Sequence, residues 1–143
     1  MKDNLPSLKS NFPPLLHFTY NLQHLADELL LKEAGVGLSQ ARLMSGLSSS
    51  SARSQSHLAL VLNQTESNVS RQLKVMKHHG LVSISKNKKD GRQRDVILTA
   101  KGQRTYAKAE KVLKKQQQDF LKMLNKGESD ILEFAAQKFG RSL

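Results

Sequence analysis

The sequence predicts an α+β fold that is mostly helical, with two short strands set between helices. Three observations carry this expectation. Apolar residues recur at helical spacing over most of the 143 residues, and the period shortens to two only between positions 81 and 98. The composition, 38% hydrophobic and 24% charged, supplies a core and is not that of a disordered chain. The charge is unevenly placed: residues 1–34 are net −1, residues 35–100 net +7 with ten basic against three acidic side chains, and residues 101–143 net +5.

The first helix is expected over 13–33. Leu15, Phe18, Leu22, Leu25 and Leu29 form a heptad stripe, Pro13 and Pro14 suit a first turn, and Gly35 and Gly37 end it. Its apolar face, widened by Leu16, Ala26 and Leu30, asks for packing on two sides or against another chain. A short helix follows over 38–47, then a Ser-rich connector over 48–56 whose hydroxyls compete for backbone hydrogen bonds. Ser54 suits the N-cap of a helix over 55–62, Asn63-Gln64-Thr65 a turn, and Thr65 the cap of a helix over 66–79 buried through Val69, Leu73 and Met76. Two short helices joined by such a turn form a helix-turn-helix pattern.

Gly80 closes that unit. Leu81 to Ser85 and Arg94 to Leu98 then read as antiparallel strands around the basic stretch KNKKDGRQ, a charged hairpin or wing. Thr99 caps a helix expected over 100–125, with Tyr106, Ala109, Leu113, Phe120 and Leu124 on one stripe. The chain is expected to break at Asn125-Lys126-Gly127, before a last helix over 128–140 carrying Ile131, Leu132, Phe134, Ala135 and Phe139.

A sequence pI near 10.1 calls for a polyanionic partner, nucleic acid or an acidic membrane surface. The absence of Cys excludes disulfides, thiolate metal sites and thiol redox sensing. No 18-residue apolar run occurs and the first residues lack an apolar signal core, so a cytoplasmic location without membrane partners is expected. No nucleophile, carboxylate pair or phosphate loop has the spacing of an enzyme site. His17, His24 and the pair His78-His79 do not assemble the three or four ligands a metal needs, and no cofactor is expected.

The chain resembles the MarR family of winged helix-turn-helix transcription regulators over residues 12–140. The likeness lies in Leu38-Ser39-Gln40, the run Ser54 to Ala59, the run Ser67 to Leu73, Gly80-Leu81-Val82, the wing pair Asp90 and Arg92, Leu98-Thr99 and Lys101-Gly102. The family's wing has an Asp followed by two Arg; here Gly91 stands for the first Arg, Arg92 keeps the second, and Arg94 lies close by. The resemblance implies a homodimer joined by its end helices (1–34 and 100–143) around a winged DNA-binding region (35–99). It implies an interface that includes Leu15, Phe18, Leu22, Phe120, Leu124, Ile131 and Phe134. It also implies release of DNA by a small aromatic effector, although no motif identifies one.

The residue chemistry agrees with a DNA reader. Ser67, Asn68, Ser70, Arg71 and Lys74 lie on the polar face of the second helix of the pair, sized for a major groove in which Arg reads guanine and Asn reads adenine. Lys86, Lys88, Lys89, Arg92 and Arg94 cluster on the wing; by resemblance Arg92 enters the minor groove, supported by Asp90. Ser54 and Gln55 are expected at the DNA backbone. The function expected is a sequence-specific regulator, most simply a repressor, on a pseudo-palindromic double-stranded operator. Two alternatives remain at this level: a nonspecific architectural DNA binder, and a basic helical module for membranes or proteins.

Overall fold

The computed structural model describes residues 12–48 and 51–140. The expected end-helix region (1–34, 100–143) is therefore seen from 12 to 140, and residues 49 and 50 of the connector lie outside. The order is α1 (Pro14–Ala34), α2 (Leu38–Leu47), β1 (Arg53–Ser54), α3 (Gln55–Val61), α4 (Glu66–His78), β2 (Val82–Lys86), β3 (Arg94–Leu98), α5 (Ala100–Leu121) and α6 (Lys126–Gly140).

The two long helices, α1 and α5, run antiparallel. The Phe18 and Phe120 rings lie 5.5 Å apart at one end, and Gln116 Nε2 donates to the Leu22 carbonyl (3.4 Å) one turn further along. On α1 the fully buried positions are Ala26 and Leu30, while Leu25 of the expected stripe is 48% exposed. The inward face thus runs Phe18, Leu22, Ala26, Leu29/Leu30, close to a four-residue step, because α1 packs on one straight helix and not in a coiled coil.

Leu30, Leu43, Met44, Leu58, Leu73 and Met76 form the centre of the core, joined by Val96 of the sheet and Ala109 of α5. The start of α2 borrows its cap. Gly37 has no side chain to offer, and Asp27 of α1 accepts from the Leu38 amide at 2.7 Å.

The sheet has three strands, not two, in the order β1-β3-β2, all antiparallel. β1 was not expected: two residues at the end of the Ser-rich connector pair with the centre of β3, Arg53 opposite Val96 and Ser54 opposite Asp95. Such a short strand leaves no period in the sequence; it exists because β3 has an open edge.

The last helix starts two residues earlier than the sequence suggests. Asn125 Oδ1 accepts from the Glu128 amide (3.0 Å) and Glu128 Oε2 from the Asn125 amide (2.9 Å), a reciprocal capping box that makes Lys126 and Gly127 the first helical turn. Correspondingly α5 ends at Leu121, before the expected 125. No residue of α6 is buried, and Ile131 and Phe134 are 71% and 68% exposed.

Candidate nucleic-acid interface

The site is built on two local caps and one turn. Ser54 Oγ accepts from the His57 amide (3.1 Å) and starts α3; Thr65 Oγ1 accepts from the Asn68 amide (3.2 Å) and starts α4. Between them the Gln64 amide donates to the Ala59 carbonyl (2.9 Å) and Asn63 takes φ 51°, a left-handed conformation that Asn tolerates. Val69, Leu73 and Met76 are wholly buried beneath α4. Ser67, Asn68, Arg71 and Lys74 consequently face outward, with Ser70 half-buried at the edge of that face.

One group on this face was not anticipated. Gln64 Oε1 accepts from both Asn68 Nδ2 and Gln72 Nε2, each at 3.2 Å, and so braces Asn68 against the turn. Its members are four and eight residues apart, a spacing that many solvated Gln and Asn also show.

The wing is organised by Asn87, which the sequence reading passed over. Its Nδ2 donates to both carboxylate oxygens of Asp95 (3.0 and 2.9 Å), and its Oδ1 accepts from the amides of Lys89 and Asp90 (2.8 and 2.9 Å). Asp90 does support the wing, but through the main chain: its Oδ1 accepts from the Arg92 amide at 3.0 Å, and no ion pair joins it to the Arg92 guanidinium. The Arg92 side chain therefore stays available. Lys86, Lys88, Lys89, Arg92 and Arg94 are all exposed.

Helix and wing meet in a groove lined by Gln55, Ser70, Lys74, Lys77, Ile84 and Arg94, with no acidic side chain among them. Lys86 and Arg94 are direct cross-strand partners, a like-charge arrangement that costs stability until an anion lies between them. Of the expected residues, Ser70, Lys74, Arg94 and Gln55 share this groove; Lys77 joins them unforeseen. Ser54 is committed through its oxygen to the α3 cap. Lys88, Lys89 and Arg92 stand apart at the tip of the hairpin.

The far end of α4 is locked to α5. Gly80 turns the chain at φ 71°, Thr99 Oγ1 donates to the Gly80 carbonyl (2.6 Å) while accepting from the Gly102 amide (3.0 Å), and Lys101 Nζ donates to the His79 carbonyl (2.8 Å). A Cβ on Gly102 would collide with the Leu81 carbonyl. This clamp explains why Gly80-Leu81, Leu98-Thr99 and Lys101-Gly102 occur at their spacings.

A second cleft, of about 500 Å³, opens between the end of α2 (Leu47, Ser48), β3 (Ile97, Leu98) and α5 (Gln103, Tyr106, Ala107, Glu110). Among the described residues no group of three or more His, Asp or Glu could hold a metal ion, and no helix is long and apolar enough to cross a membrane.

The MarR family model matches residues 34–93, from the end of α1 through the wing. No curated protein matches the sequence. Solved structures share the fold: the Staphylococcus aureus MepR–DNA complex at 18% identity and a TM-score of 0.77, covering 90% of this chain and 95% of that one. CouR, a transcriptional repressor bound to a 23-mer DNA duplex, aligns at 20% identity, a TM-score of 0.78 and coverage of 88% and 89%. The PcaV regulator of Streptomyces coelicolor, in complex with its natural ligand, aligns at 16% identity, a TM-score of 0.73 and coverage of 99% and 97%. At these identities the structures establish the architecture, and the family model covers 60 of the 143 residues. That match lies within the winged region, and together with the shared architecture it shows a chain with the MarR-like winged helix-turn-helix fold.

Proposed function

We propose that the chain is a homodimeric repressor that binds a pseudo-palindromic operator, with residues 35–99 as its DNA-binding region and the end helices as its dimerisation region. The observation that carries this reading is the acid-free groove between α4 and the wing. Its basic lining suits a phosphate backbone, and it leaves Asn68 and Arg71 on the outward face of a helix of major-groove size. Each copy reads only a few base pairs, so two copies on a two-fold axis are needed for a useful site.

Dimerisation is supported by apolar side chains left largely exposed within one copy. Leu15 is 70% exposed where α1 outruns α5, and Ile131 and Phe134 of α6 are exposed to the same degree. Phe18, Leu22, Phe120 and Leu124 are half-buried along the same end of the molecule and would complete the interface. A small aromatic effector would be assigned to the cleft beside Tyr106, at the junction of α5 and the winged region. Binding there would have to favour a spacing of the two winged regions unsuited to DNA.

Selection of bound duplexes from random DNA, followed by footprinting, tests the reading. The expected result is an inverted repeat whose half-sites lie about one helical turn, roughly 34 Å, apart. Equal affinity for every duplex would instead identify an architectural DNA binder. Titration of salicylate-like aromatics against the operator complex tests the effector.

A further inference from the structure

The longest run of positive charge outside the interface lies on α5. Lys101, Arg104, Lys108, Lys111 and Lys115 are spaced 3, 4, 3 and 4 residues apart and are all exposed. That spacing keeps them within one face of the helix, roughly 100° around its axis from the cleft residues Gln103, Ala107 and Glu110. The ion pairs of the region are Lys114–Glu110, off this face, and Lys122–Asp119, which continues the stripe beyond Lys115. Arg104, Lys108, Lys111 and Lys115 have no acidic partner among the described residues.

Solubility alone does not account for this. Helices in water are stabilised by opposite charges at i,i+3 and i,i+4, and like charges there are unfavourable. The run sets four successive like-charge pairs at i,i+3 or i,i+4. By contrast α6, equally exposed, carries two basic and three acidic residues. Across α5 and α6 the basic excess lies mainly on this one face of α5.

We propose that this face of α5 is a second DNA-backbone surface, which holds a duplex segment other than the one read by α4 and the wing. Three features favour DNA. The run spans 15 residues, about 21 Å of helix from first to last, over which one DNA strand presents about six phosphates. It begins where the recognition helix ends, since Lys101 Nζ is bonded to the His79 carbonyl, and it leads away towards Phe18 and Phe120 at the opposite pole. Finally, the face offers no apolar side chains for insertion among lipids: Ala109, Val112 and Leu113 turn inward to the core. The surface therefore suits a phosphate backbone without base readout.

The proposal uses the operator reading of the preceding section for the first duplex only. The test is a sandwich experiment with the full chain. A short immobilised operator duplex, identified by selection, is saturated with protein, and a labelled duplex of unrelated sequence is added at 50 and 200 mM salt. Wild type should retain the second duplex, with capture falling steeply with salt. The variant R104Q/K108Q/K111Q/K115Q, which keeps good helix formers, should bind the operator within about twofold of wild type yet lose capture at least tenfold. Its salt slope for random DNA should fall by about three to four, near one unit per lost contact. The variant Arg71→Ala should do the reverse, losing operator preference while still retaining random DNA.

Capture by the quadruple variant equal to wild type would overturn the proposal, as would no capture by wild type. Loss of operator binding in a quadruple variant with unchanged helicity and melting temperature would also overturn it, since the face would then belong to the first duplex. Vesicles of acidic phospholipid serve as the comparison; binding to them through this face, without capture of DNA, would assign the surface to membranes instead. If wild type selects no operator at all, the preceding reading fails. The difference between wild type and quadruple variant on random DNA then still decides the proposal.

Discussion

Arg71 and Lys88 carry the same charge in different settings. Arg71 projects from a helix fixed by three wholly buried side chains, whereas Lys88 sits at an exposed hairpin tip held by Asn87 and Asp90. Arg71→Ala should therefore cost about 1–3 kcal/mol of specific affinity and relax preference at particular base positions, as measured by competition among operator variants. Lys88→Ala should weaken all duplexes alike and lower the salt slope by about one. The opposite pattern would mean that α4 is not the reading helix. Gly102 is a residue of another kind, where backbone meets backbone. Gly102→Ala must push α5 away from Leu81, at a cost of about 1–3 kcal/mol of stability in urea unfolding and with weaker operator binding. Unchanged stability would show that the clamp yields freely.

Among the elements, α6 has no buried side chain within one copy. Removing residues 125–143 takes away Ile131 and Phe134, each worth about 1.5–3 kcal/mol when fully buried, together with the Asn125–Glu128 box. Sedimentation velocity should then show a weakened dimer, and operator affinity should fall with it; an intact dimer would remove α6 from the interface. Elements whose caps and apolar period are local were legible in the sequence. α2 and β3 have the residues expected, and α4 ends one residue short because His79 serves as its cap. What escaped depends on the third dimension. β1 exists only through the edge of β3. The Asn87–Asp95 pair is visible only once the hairpin register is known. The inward face of α1 shifted because the sequence stripe could not distinguish packing on α5 from packing on a second copy. Gly127 looked like a break, although a first-turn position needs no preceding helix.

For the whole molecule, charge sets the response to salt. If six to ten phosphates are contacted, operator affinity should drop about 10³–10⁵-fold between 50 and 200 mM salt, by filter binding or anisotropy. A flat response would sink the operator reading. The clamp at Gly80, Thr99 and Gly102 also has a mechanical consequence. It welds the recognition helix to one end of a rod of 22 residues, about 33 Å long, whose other end lies among the apolar side chains proposed to join two copies. Such a rod is a lever. A pivot of only about 5° at its far end would carry the welded end through roughly 3 Å, comparable with one base-pair step of DNA along its axis. A ligand wedged beside Tyr106 would act near the welded end of the lever, and a substitution that softens the weld should uncouple the two.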